Sequence, residues 1–185
     1  CGRMGSTFWG FQLHDVVPDI VTIGKPLGNG HPVAAVACTE AVAEYFANGM
    51  EFFNTFGGNP VSSVIANTVI DVVVEERLQE NAFEVGSYLK EELLQLSKEF
   101  PIMGSIRGQG LFLGIEFVDL NINPLPIQAT YFVNRMKDHG VLMSTDGPDN
   151  NVIKIKPPMV FSIDNAKELI FLLNKILQED LMQFY

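Results

Sequence analysis

The sequence predicts an α/β chain in two parts: residues 1–76, the end of one domain, and residues 77–185, a second and smaller one. Three observations predict it. Short apolar β runs alternate with single helical stretches, the pattern of layered α/β and α+β folds. The segment Val61–Val74 is apolar nearly all round, as a helix buried between layers is. The next helical stretch, Leu78–Phe100, instead carries its apolar residues on one stripe, with Leu89, Leu93 and Leu96 on it. The character of the chain changes at "EERL", Glu75 to Leu78, and the boundary is placed there.

Each element has its own signal. Asp19–Ile23 and Val33–Cys38 are strand-like runs flanking a loop with Gly28, Gly30 and Pro32. Thr39 offers an N-cap to a short helix, Glu40–Asn48, stopped by Gly49. "EFFNTFGGNP", Glu51 to Pro60, is a glycine-hinged loop in which Asn59 caps the next helix and Pro60 opens it. Downstream, "GSIRGQGLFLGIEFV" reads as two β runs joined at a glycine turn, and Ile127–His139 as an amphipathic helix. "GVLMS" and "NVIKIKPPM" read as strands separated by the turn "TDGPDN", and Asp164–Gln183 as a closing helix.

Composition narrows the function. A net charge of −10 argues against a nucleic-acid partner and leaves an anionic ligand in need of local positive charge. Cys1 and Cys38 have neither metal-ligand spacing nor a disulfide framework, which suits a reducing, cytoplasmic setting, or a mitochondrion in a eukaryote. No apolar run is long enough to span a membrane. "CGRMGSTFWGF" has no initiator Met and no signal-peptide order, so the chain is expected to be a fragment continuing from something upstream.

One lysine stands out. In "DIVTIGKPLGNGHPVAA", Lys25 closes an apolar run and opens the glycine loop. An amine in apolar surroundings has its charged form disfavoured. Once neutral it attacks carbonyls to form a Schiff base, the chemistry of lysines that hold pyridoxal phosphate. The competing reading is a strand-end lysine that reaches solvent. The loop is no nucleotide motif: a third glycine is missing, Pro32 intervenes, and no Gly-Lys-Ser/Thr follows.

"PDIVTIGKPLGNGHPVAA" resembles the lysine motif of the class III aminotransferases, fold-type I enzymes that use pyridoxal 5'-phosphate. "NTFGGNPVS" resembles their second signature and "IRGQGLFLGIEF" a third, in the same order, and the similarity runs from Gly2 to about Leu177. The resemblance implies the end of the large cofactor-binding domain followed by a small α+β C-terminal domain. It implies that Lys25 holds the cofactor as a Schiff base and moves the substrate Cα proton. Thr55 matches a threonine contacting the cofactor phosphate of the neighbouring subunit, the alternative being a loop cap. Gly57 and Gly58 would let the backbone approach closely. A site shared in this way implies a homodimer. The aspartate that pairs with the pyridine nitrogen would lie before Cys1, so the chain alone is expected to be inactive.

Lys154 marks a departure. The family carries an arginine there, gripping the substrate α-carboxylate; "NVIKIKPPM" has a lysine, which lacks the planar bidentate fork. Lys154 is read as a substrate-binding residue, against the alternative of an exposed strand residue. "STDGPDNNVIKIKPPMVFSIDNA" resembles the branch of phospho-lyases acting on ethanolamine phosphate and phosphohydroxylysine. Three functions follow from the resemblance: transfer of an amino group from an amine or amino acid, elimination of phosphate and ammonia from a phosphorylated amine, or a truncated protein that binds cofactor without turnover. Arg107 is expected to make structural hydrogen bonds, His31 to sit in a turn, and Phe8, Trp9 and Phe11 to belong to a core or interface.

Overall fold

The computed structural model describes residues 1–183. Strands β1 (Ile20–Ile23) and β2 (Ala35–Cys38) pair antiparallel as a ribbon, followed by α1 (Glu40–Phe46) and α2 (Pro60–Glu75). Asn59 caps α2, its side chain accepting from the Ser62 amide at 2.9 Å, and Pro60 fills the position where no donor is needed. The chain turns at Arg77, in the left-handed region at φ 53°, and enters α3 (Leu78–Glu99). The expected junction at Glu75–Leu78 is therefore a break between two helices.

Beyond it lie β3 (Met103–Gln109), β4 (Phe112–Phe117), α4 (Pro126–Asp138), β5 (Ser144–Asp146), β6 (Val152–Ile155) and α5 (Ile163–Leu177). The four strands form one antiparallel sheet in the order β3-β4-β6-β5. Alternation gives it one covered face: Leu113, Ile115 and Phe117 of β4 and Ile153 and Ile155 of β6 are buried, while Gly114, Glu116 and Lys154 are only half-covered. Helices α3 and α4 pack on the covered side, and α5 packs against both. Phe117 meets Phe132 of α4 edge to face, centroids 5.3 Å apart. The main core lies between Ala82 and Met182.

Three expectations need correction. Helix α2 is not buried between layers: Ala66 and Val73 are its buried residues, and Val61 and Val64 are 66% and 63% exposed. The described chain supplies nothing to cover its apolar outer side. "GVLMS" is not a strand; Ser144–Asp146 is. Gly140, at φ 83°, closes α4 in a Schellman motif, with the Val141 amide donating to Met136 O and the Gly140 amide to Lys137 O. Those residues are therefore used by the helix end. The closing helix stops at Leu177, and Asp180–Gln183 forms a separate 3-10 turn.

That turn is anchored by Glu179, which accepts hydrogen bonds from Arg135 and from the Tyr131 hydroxyl of α4. The Arg135 guanidinium first, and the Tyr131 hydroxyl second, hold the Glu179 carboxyl down at about 2. A carboxyl lowered on folding contributes stability that is present above about 4.5 and lost as pH falls towards 2. The Glu179→Gln variant is therefore expected to be less stable than wild type at pH 7. The gap should narrow on acidification from pH 5 to pH 2, as read from denaturation midpoints; a gap independent of pH would contradict this.

Candidate active site

Lys25 is set by a tight turn. β1 ends at Ile23, Gly24 stays extended, and Lys25–Gly28 forms a 3-10 turn with Pro26 inside it. The amides of Leu27, Asn29 and His31 donate to Gly24 O, Pro26 O and Gly28 O. Leu27 and Gly28 are buried, and a Cβ on Gly28 would lie 2.6 Å from Val33 Cγ1, so this position tolerates only glycine without movement. The Lys25 side chain itself is exposed. The apolar enclosure expected around it is not supplied by the described residues. Like Lys137, Lys156 and Lys175, and unlike Lys90, Lys98, Lys154 and Lys167, it makes no hydrogen bond or ion pair among them.

Thr55 sits in a second hydrogen-bonded turn. Asn54 Oδ1 accepts from the amides of Phe56 and Gly57, at 3.1 and 2.8 Å, in the manner of an Asx turn. A Cβ on Gly57 would lie 2.9 Å from Asn54 Cγ, so glycine there makes room for the asparagine. Capping in this loop falls to Asn54 and Asn59, while the Thr55 hydroxyl has no partner among the described residues. The two turns are connected: His31 Nε2 lies 2.8 Å from Ser62 Oγ, in the first turn of α2.

Lys154 belongs to a different surface, the uncovered face of the four-stranded sheet. It pairs with Gly114 of β4, whose other partner is Arg107 of β3, so two cations flank one bare glycine. Each has a carboxylate: Lys154 donates to Asp146 at 2.7 Å and Arg107 to Glu116 at 2.6 Å. The Lys154 ammonium and the Gly147 amide hold the Asp146 carboxyl below its ordinary range. A groove of about 310 Å³ runs between the pairs, lined by Arg107, Phe112, Gly114, Asp146, Val152 and Lys154 among others. Lys154 also lines a cavity of about 360 Å³ with Leu142, Ser144 and Lys156. Lys25, Thr55 and Gly57 line neither of them, so the chain does not gather all its expected site residues into one pocket.

Sequence reasoning missed Asn54, Ser62 and Asp146. The first was readable, because asparagine three residues before a glycine is an Asx-turn signal. The Ser62 and Asp146 contacts depend on packing and strand register, which carry no local signal.

The fold and these motifs have counterparts. Residues 1–177 match the family described as Aminotransferase class-III. The chain belongs to the class III aminotransferase family. It is 51% identical over 173 residues to an alanine–glyoxylate aminotransferase 2-like protein of Drosophila melanogaster, covering 91% of this chain and 35% of that protein. It is 41% identical over 182 residues to an ethanolamine-phosphate phospho-lyase homolog 1 of Caenorhabditis elegans, covering 95% of this chain and 39% of that one. A phospholyase from Arthrobacter, solved in complex with phosphoethanolamine, superposes with a TM-score of 0.92 at 40% identity, over 95% of this chain and 42% of that chain. The chain thus spans between a third and a half of the length of the proteins it matches.

The family depends on pyridoxal 5'-phosphate. The residues present fit that group. An unpartnered amine on a fixed turn suits its aldehyde, and an unpartnered hydroxyl on a second fixed turn suits its phosphate.

Proposed function

We propose that the full-length protein is a pyridoxal-phosphate-dependent enzyme that works through Lys25 and transfers an amino group from an amine or amino acid to a keto or aldehyde acceptor. The observation that carries this is Lys25 itself, without a partner among the described residues, on a 3-10 turn within the family's lysine motif. When bound, the cofactor supplies a sink for the electron pair left as a proton leaves the carbon bearing the substrate amine. The chain's own residues do the rest. The 3-10 turn sets the Lys25 backbone, and Lys25 Nζ takes the Cα proton of the amino donor and, in the other half of the cycle, gives a proton to the carbon of the acceptor. Thr55 Oγ1 would donate to the cofactor phosphate of the neighbouring subunit, with Gly57 keeping the surrounding turn narrow.

A second reading, phosphate elimination from ethanolamine phosphate or a similar phosphorylated amine, is favoured by Lys154. Such a substrate has no α-carboxylate, so an arginine fork has nothing to grip. Loss of a proton and of phosphate from adjacent carbons would leave an enamine, whose imine tautomer water hydrolyses to aldehyde and ammonia. The phospho-lyases among the similar proteins support this reading. Steady phosphate release from ethanolamine phosphate with no keto-acid acceptor is expected for a lyase. Absence of phosphate, with amino transfer to a keto acid, would make the protein a transaminase. If Lys154 binds the phosphorylated amine, Lys154→Met should raise KM about tenfold with a smaller change in kcat; an unchanged KM removes Lys154 from the site.

In this reading residues 1–76 close the large cofactor-binding domain and residues 77–185 form the small C-terminal domain. The core confined to Ala82–Met182 and the uncovered valines of α2 support that division. A homodimer with a shared site is the natural cover for the loop around Thr55, where Phe53 and Phe56 are 79% and 83% exposed. Two free thiols, Cys1 and Cys38, support a reducing compartment, cytoplasmic or mitochondrial. No described helix is long and apolar enough to cross a membrane.

A further inference from the structure

The turn carrying Lys25 and the turn carrying Thr55 are separated by α1 and a long loop, yet one chain of side-chain bonds joins them. His31 ends the Lys25 turn, its amide donating to Gly28 O at 2.9 Å. Its ring Nε2 meets Ser62 Oγ at 2.8 Å. The Ser62 hydroxyl also accepts from Asn59 Nδ2 at 3.0 Å, and the same amide donates to Phe56 O at 2.8 Å, one residue beyond Thr55. We propose that His31 is a positioning residue that, through Ser62 and Asn59, locks the Lys25 turn to the Thr55 turn; the role rests on the reading of Lys25 and Thr55 given above.

The chemistry supports a specific link. A serine hydroxyl has one proton to give and two lone pairs. With one lone pair taken by Asn59, Ser62 can still donate to a bare Nε2 or accept from a protonated one, so the contact holds in either neutral tautomer. Capping of α2 does not need His31: Asn59 Oδ1 already accepts from the Ser62 amide. The histidine therefore adds a tie between turns, and packing of α2 against the Lys25 turn gives it a firm base. In a dimer with shared sites the Lys25 turn serves its own subunit's cofactor and the Thr55 turn the neighbour's, so the tie fixes the two sites relative to one another, and misplacement of either turn costs productive geometry.

Amide hydrogen exchange on the full-length, cofactor-free protein tests this. The His31→Asn variant places its amide where Nδ1 stood, too short to reach Ser62, whereas His31→Gln restores a donor at the position of Nε2. The proposal expects exchange at Asn29 and His/Asn31 and also at Phe56 and Gly57 to rise about fivefold in His31→Asn and in Ser62→Ala, as for loss of one hydrogen bond. His31→Gln should match wild type, and the double variant His31→Asn with Ser62→Ala should be no looser than Ser62→Ala alone. Loosening confined to the Lys25 turn, or equal loosening in the Gln and Asn variants, would overturn it. Measuring without cofactor separates failure of this link from failure of the cofactor assignment, which the exchange does not read.

Discussion

Lys25→Ala is expected to lower kcat of the full-length protein by roughly 10³–10⁴, the scale of a lost acid/base group, and to leave it unable to hold its cofactor covalently. Stability of the cofactor-free protein should barely change. The side chain is exposed and makes no bond among the described residues, and such surface substitutions stay within about 0.5 kcal/mol. This combination separates a chemical role from a structural one. Activity assays beside a denaturation curve check both halves. Large loss of stability would mean that Lys25 braces the turn; retained activity would move the chemistry to another amine.

The second large effect is structural. Gly86 lies within α3, and a Cβ there would come 2.3 Å from the backbone of Gly110, in the β3–β4 turn. Gly110, at φ 57°, would in turn put a Cβ 2.3 Å from Arg3 O. Three backbones are stacked at this point. The N-terminal segment is fastened to the same turn, with the Leu111 amide donating to Arg3 O and Arg3 Nη1 donating to Leu111 O and Pro157 O. Helix propensity alone would favour Gly86→Ala by about 1 kcal/mol. Overpacking against fixed backbone costs up to about 3 kcal/mol, so the clash wins and the variant is expected to lose about 2 kcal/mol. Gly140→Ala serves as the comparison: its φ is 83° but nothing lies within 4 Å, so strain alone should cost about 1 kcal/mol. Denaturant midpoints should rank Gly86→Ala as the more damaging. A neutral or stabilising Gly86→Ala would show that the turn yields and that the stack is loose.

Legibility in the sequence followed the range of the interactions. The Leu89, Leu93 and Leu96 stripe is local in origin, and all three residues are buried. Asn59–Pro60 is a local helix start, and the cap is made. "GVLMS" misled because its apolar residues suit a strand, while Gly140 and Val141 are consumed by the end of α4. Helix α2 misled differently. Its composition suits burial that the described residues do not supply, in a chain that spans between a third and a half of the length of the proteins it matches. At the site, Lys25 and Thr55 are expected from family motifs alone, and the bonds that shape their turns carry no such signal. Lys154 is expected at the site only as a departure from arginine. Its partner Asp146 is not expected, because the pair forms only once β5 and β6 are in register.

Everything proposed for the chemistry hangs on one amine. Borohydride reduction of the full-length holoprotein, followed by peptide mapping, asks the question directly. The account predicts the reduced cofactor on the peptide containing "TIGKPLGNG", at Lys25. Recovery of the cofactor on any other lysine, or on none, would contradict it.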